Sequence, residues 1–128
     1  MPDSLLYQEW FEKAAKDLRA AKILYEHAQD EHDYGLVAFH CRQTIEKAMK
    51  GLILQKSNKL VSGHSLLYLH DYITDFCPNF TKFKKDLTFV DKFYIDTRYP
   101  QETFLRLSGE HALECIKIAE EILNTKEI

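Results

Sequence analysis

From Gly35 to Lys56 the chain reads GLVAFHCRQTIEKAMKGLILQK, and this stretch limits the possible folds more than any other. On a wheel of about 100° per residue, Val37, Cys41, Ile45, Ala48 and Leu52 fall on one side at the spacing of a buried helical stripe. Gln43, Glu46, Lys47 and Lys50 fall on the other side. No Pro lies inside the stretch, no interior Gly interrupts it before Gly51, and Ala, Met, Lys, Glu and Leu are good helix formers. The pattern predicts a central amphipathic helix. Its polar side reads first as a solvated face, with Arg42–Glu46 and Glu46–Lys50 as i,i+4 pairs worth about 0.2–0.5 kcal/mol each. A central helix in a bundle rarely keeps one whole side free, however. Gln43, Glu46, Lys47 and Lys50 are therefore also candidate interface or ligand residues.

The flanking sequence supplies helices to pack against that stripe. A first helix is expected to start after Asp3 or Ser4, either of which can cap it. Leu6, Trp10, Ala14, Leu18, Ala21 and Tyr25 then recur at helical spacing, with Lys13, Lys16, Asp17 and Arg19 as the solvated remainder. The pattern fades through the polar run Gln29-Asp30-Glu31-His32-Asp33, and so short a connection makes the first two helices antiparallel neighbours. After a loop from Ser57 to Gly63, a shorter helix is expected from His64 to Phe76, with Leu66, Leu69, Ile73 and Phe76 on one face. Cys77-Pro78-Asn79 breaks it. Phe80, Phe83, Leu87, Val90 and Tyr94 make the next stripe, widened by Phe89 and Phe93, and that helix should stop near Thr97, before Tyr99-Pro100. The last helix opens at Ser108, with Glu110 in its first turn and Ala112, Ile116, Ala119 and Leu123 on its buried face. The expectation is an all-α, up-and-down four-helix bundle with one additional short helix, a single domain over residues 1–128. The aromatic load of Phe80, Phe83, Phe89, Phe93 and Tyr94, with Tyr99 after it, exceeds what one stripe needs. That surplus suggests a homodimer formed through an apolar helix face.

Composition narrows the function classes. The chain has 128 residues, 45% of them hydrophobic, with only 4 Gly and 3 Pro, which favours a few long helices over many short strands. A formal net charge of -3 gives no general attraction to nucleic acid, so any RNA contact needs a local basic patch. Three well-separated Cys show no C-x-x-C spacing, and Cys41 and Cys115 lie on apolar stripes as small core residues. A reducing cytoplasm is the expected setting. The opening MPDSLLYQEW has no leader pattern, and no run reaches membrane-spanning length. Six His invite a metal search, but His64 and His70 fall on different helix faces and no H-E-x-x-H occurs. No metal and no cofactor is expected.

The run CRQTIEKAMKGLI, from Cys41 to Ile53, resembles the second helix of the HEPN domain, whose pattern is roughly Q-x-x-E-K-x-x-K. Further landmarks follow in the family's order: Trp10 with Asp17-Leu18 in the first helix, Gly63-His64-Ser65-Leu66 opening the third, and Arg98-Tyr99-Pro100 after the fourth. The resemblance is to a small stand-alone prokaryotic-type HEPN protein and covers nearly the whole chain. It implies association with nucleotide or RNA biology and, for small stand-alone members, action alongside a separately encoded minimal nucleotidyltransferase in a toxin–antitoxin-like context. It also suggests that His64 hydrogen-bonds a neighbouring helix in a structural role.

HEPN ribonucleases carry an R-x(4–6)-H motif whose Arg and His meet across a dimer interface, and Arg106…His111 has that spacing. The residue types suit RNA cleavage without metal. His can move protons to and from the 2′-hydroxyl and the leaving oxygen, and Arg can stabilise charge building on the phosphate. The match departs from the family in three respects. Leu107 follows the Arg where a polar residue often stands, and Leu113 occupies the place of the Tyr in an R-x(4)-H-x-Y pattern. The family's Arg is also expected to align with Arg98 of the RYP run, and no His lies four to seven positions beyond it. Three readings follow. The first is a non-enzymatic binding and interaction module partnering a nucleotidyltransferase, with Arg98 and Tyr99 as candidate ligand or interface residues. The second is a metal-independent endoribonuclease using Arg106 and His111. The third is a structural dimer without ligand.

Overall fold

The computed structural model describes residues 4–93 and 107–127, and these are helical throughout their regular parts. The helices are α1 (Tyr7–His27), α2 (Glu31–Ser57), α3 (Leu66–Thr74), α4 (Lys84–Lys92) and α5 (Gly109–Asn124). A 3-10 segment, Pro78–Phe83, leads into α4, and another, Thr125–Glu127, follows α5. No strand occurs among the described residues. The all-α class and the four-plus-one arrangement expected from the periodicity are what the chain adopts. The expected end of the fourth helix near Thr97, Tyr94, the Arg98-Tyr99-Pro100 stop and Arg106 lie outside the described residues.

Helix α2 packs against all four of the other helices. That single fact explains its burial. Val37, Cys41, Ile45 and Met49 are wholly inaccessible, and so are Ala38, Thr44 and Ile53, which stand around the rest of the wheel. The helix also begins earlier than its apolar pattern, because capping overrides polarity there. The Asp30 carboxylate accepts from the Asp33 amide at 2.9 Å, and Asp33 in turn accepts from the Gln29 amide at 3.0 Å. These bonds satisfy amides that a helix start leaves without partners, so the polar Glu31-His32-Asp33 run is helical rather than a turn. At the other end Asn58 adopts the left-handed conformation at φ 57° and its amide closes on the Leu54 carbonyl at 3.0 Å.

The start of α1 falls later than expected. The Ser4 hydroxyl oxygen accepts from the Leu6 amide at 3.0 Å, two residues on, which makes a local turn instead of a helix cap. Leu6 is consequently exposed, and burial begins at Ala14, Leu18 and Ala21. The α1–α2 packing is close at Gly51. A Cβ there would stand 2.8 Å from Phe11 Cε1 and 3.1 Å from Trp10 Cβ, so only glycine lets the two backbones approach this far. Gly63, at φ 100°, makes the turn that delivers His64 and the Ser65 cap to α3.

Helix α3 is shorter than its apolar pattern, ending at Thr74, and Phe76 stays 37% exposed instead of completing the buried face. Pro78 then starts the 3-10 segment, so the fourth stripe is built in two pieces. Its residues still converge: Phe80, Phe83, Leu87, Val90 and Phe93 are all buried. Of the aromatics behind the self-association expectation, Phe80, Phe83 and Phe93 pack inward and Phe89 is half-buried, while Tyr94 and Tyr99 lie outside the described residues. Phe80 and Phe83 pair at 4.9 Å between ring centroids, and Phe89 and Phe93 pair at 5.0 Å. On the last helix, Ala112, Ile116, Ala119 and Leu123 are buried as expected, joined by Cys115, Ile118 and Ile122.

Candidate functional site

The polar stripe of α2 is not a solvated face. Glu46 and Lys50 are buried, and each belongs to a network that ties α2 to its neighbours. The Glu46 carboxylate meets Arg42 Nη1 at 3.3 Å, Lys50 Nζ at 3.2 Å and His64 Nδ1 at 2.8 Å. Arg42 reaches further: its Nε donates to Asp91 at 2.9 Å on α4, and its Nη2 donates to the His64 carbonyl at 2.8 Å. Lys50 lies 5.8 Å from the centroid of the Trp10 ring, whose Nε1 donates to the Ser4 carbonyl. One carboxylate therefore anchors the α2–α3 loop, α4 and α1 around the middle of α2. The i,i+4 pairs read from the sequence both form, but in a buried setting where losing one partner is costly.

A second network lies one turn round. Lys47 Nζ pairs with the Asp17 carboxylate of α1, and His40 Nδ1 stands 3.4 Å from the other Asp17 oxygen. Asp17 is thus half-buried and engaged, not part of a solvated remainder. Gln43 is half-buried and joins none of these bonds. Among the described residues, one grouping brings three metal-type donors together: Asp30, His32 and Asp33 at the start of α2. Its two carboxylates are the capping groups already described.

His111 occupies the first turn of α5. The Ser108 hydroxyl oxygen accepts from the His111 amide at 3.2 Å, and the Ser108 amide donates to His111 Nδ1 at 3.3 Å, a reciprocal capping box in which His replaces the usual Glu. The imidazole lies 4.6 Å from the Phe93 ring centroid with 22° between planes, so it is stacked on the end of α4. Its proposed companion Arg106, like Arg98 and Tyr99, lies outside the described residues. The sequence signal for Ser108 as a cap was sound. The reciprocal role of His111 was not visible, because that motif is ordinarily recognised by an acidic or amide side chain.

The HEPN domain family model matches residues 7–128. This chain belongs to the HEPN family. Two solved structures are similar to it over almost their whole lengths. One, described as an archaeal HEPN homologue, is 26% identical, covers 95% of this chain and 95% of its own, and superposes with a TM-score of 0.68. The other, a protein from Thermus thermophilus, is also 26% identical, covers 94% of this chain and 95% of its own, and has a TM-score of 0.72. No curated protein matches the sequence. Of the polar positions that carry the HEPN resemblance, Glu46, Lys47 and Lys50 tie α2 to its neighbours, whereas Gln43 takes no part in those bonds.

The thiols of this HEPN chain separate by environment. Burial, then the neighbouring Cys115 and Glu120, push the Cys41 thiol far above its ordinary range. Burial and Glu114 push Cys115 up to about 12. Thiolate is the reactive form, so both should be inert at neutral pH, while the half-buried Cys77 should react. Titration with a disulfide reagent should label one thiol per native chain and three after denaturation. Fast native labelling of Cys41 or Cys115 would contradict their placement in the core.

Proposed function

We propose that this chain is a non-enzymatic HEPN module associated with nucleotide or RNA, acting as a cytoplasmic homodimer beside a separately encoded minimal nucleotidyltransferase in a toxin–antitoxin-like context. The observation that carries the non-enzymatic part is the capping bond of His111. With Nδ1 accepting from the Ser108 amide, the neutral imidazole holds its proton on Nε2. A ring in that state can offer a proton at Nε2 but cannot take one there without first surrendering the cap, which works against the general-base role that cleavage requires. Family membership supports the association with nucleotide biology, and HEPN domains often dimerise.

The deciding experiment incubates purified protein with RNA in EDTA. We expect no cleavage above background from the wild type, and His111→Ala to lower stability by about 1 kcal/mol through loss of the capping bond. Cleavage leaving 2′,3′-cyclic phosphate ends, and abolished by His111→Ala, would establish the endoribonuclease reading instead. Arg98→Ala and Arg106→Ala then report which arginine serves it. Partnership is tested by co-purification with the product of an adjacent short nucleotidyltransferase reading frame, and dimerisation by sedimentation at micromolar concentration.

A further inference from the structure

We infer that the surface joining the Pro78–Phe83 segment to α4 binds single-stranded RNA, seating one unpaired base in an apolar pocket and running the adjoining phosphates along a lysine groove. The pocket has a volume of about 130 Å³ and is lined by Leu52, Phe76, Cys77, Phe80 and Phe83, among others. The groove is open, about 710 Å³, and is lined by Thr81, Lys82, Lys84, Lys85 and Thr88. Lys82 lines both, so the two form one continuous surface.

The charge pattern is local. The chain is acidic overall, at -3, yet the groove has three lysines and no carboxylate among the described residues that line it. Helical geometry sorts the nearby acids away from it. Asp86 lies on the side of α4 where burial and the Glu121 and Glu114 carboxylates hold it above its ordinary range, and Asp91 is bonded to Arg42. Among the described residues neither Lys84 nor Lys85 is ion-paired, and Lys82 Nζ rests 5.1 Å from the Phe83 ring centroid. The Thr81 and Thr88 hydroxyls donate to the Pro78 and Lys84 carbonyls at 3.0 and 3.1 Å. Phosphate contact in this groove therefore falls to the lysines, which read charge and not sequence.

The pocket narrows the occupant. A small aromatic-walled hollow beside a row of cations suits a planar base whose phosphate stays outside, the combination by which single strands are held without sequence preference. A duplex keeps its bases paired and cannot insert one. An anionic lipid surface would use the lysines but leave the pocket without a planar occupant. The choice of RNA over DNA comes from the function proposed above, and the inference rests on that reading to that extent.

The test is fluorescence anisotropy with a labelled uridine 20-mer, using the wild type, Lys84→Glu/Lys85→Glu, and Phe76→Ala, whose side chains are exposed and whose folding is checked by thermal melting. For the wild type, three phosphate contacts predict a slope of about −2 for log affinity against log salt. The charge-reversed variant should bind at least tenfold more weakly, roughly, with a flatter slope. Phe76→Ala should weaken binding by about tenfold with the slope unchanged, because it removes stacking and not charge. Bound RNA should also slow modification of Cys77, a readout that polyanion binding elsewhere would not move. Unchanged affinity in the charge-reversed variant, equal competition by duplex RNA, unprotected Cys77 at saturation, or binding only to vesicles of anionic phospholipid would each overturn the inference. A thymidine 20-mer binding as tightly would overturn the choice of RNA. RNA held elsewhere on the chain would overturn this site and leave the proposed function standing. Absence of any RNA binding would overturn the site, while co-purification with the nucleotidyltransferase would still decide the module reading separately.

Discussion

Replacing Glu46 with Ala should destabilise the chain by about 3–5 kcal/mol, the range for breaking a buried ion pair from one side. The Glu46 side chain is only 7% exposed and accepts from Arg42, Lys50 and His64. Its partners are unequal. Arg42 keeps Asp91 and the His64 carbonyl when the carboxylate is gone. Lys50, 6% exposed, then keeps, among the described residues, the Trp10 ring beneath it and no carboxylate partner. Most of the loss should therefore trace to Lys50. Lys50→Ala alone should cost less, because Glu46 retains two donors, and adding it to Glu46→Ala should recover part of the stability. Chemical denaturation of the four species measures the cycle. A loss below about 0.5 kcal/mol for Glu46→Ala, the usual size for a surface substitution, would mean that the network is solvated. Salt offers a second check, since a buried pair should respond weakly to ionic strength where a surface pair is screened.

The apolar stripes of all five helices were readable because each obeys a local rule, the return of a buried position every three or four residues. Ser108 and Pro78 were readable for the same reason: a cap or a helix stop depends on nearest neighbours. What escaped the sequence was non-local. Asp17 and Lys47 lie on different helices, and nothing in the spacing along α1 marks Asp17 as a partner. Asp91 sits on α4 with Lys92 beside it and reads as a surface charge until Arg42 is seen reaching it from α2.

The polar face of α2 shows the same limit most clearly. Hydrophobic patterning assumes that polar means exposed, and it fails where a charged side chain is buried with its partner. The expected i,i+4 pairs were correct as pairs, while the environment that sets their strength depends on α1, the α2–α3 loop and α4 closing over them. The catalytic-type match Arg106…His111 is a related case. The spacing was plain, but the hydrogen bond that engages His111 Nδ1 depends on the geometry of the Ser108 cap. Conversely, nothing along the chain marks Lys82, Lys84 and Lys85 as a group, and it is the fold that sets the Phe76–Phe83 pocket beside them.

A graded series at Ile45 should show the other half of α2's burial. Ile45 is wholly inaccessible, so Ile45→Val should cost about 0.5–1.5 kcal/mol and Ile45→Ala about 2–5 kcal/mol, as transfer energy is lost and a cavity opens. The denaturant midpoint should fall in that order with the slope of the transition unchanged, because the same surface is exposed on unfolding. Ile45 and Glu46 are adjacent residues, about 100° apart on the helix, with different neighbours around them. In a two-faced helix only the first would be sensitive. In a helix enclosed by four others both must be, one through packing and the other through an unpaired charge. A steep Ile45 series beside a flat response at Glu46 would restore the two-faced helix, and comparable losses at both would establish α2 as the element around which the bundle closes.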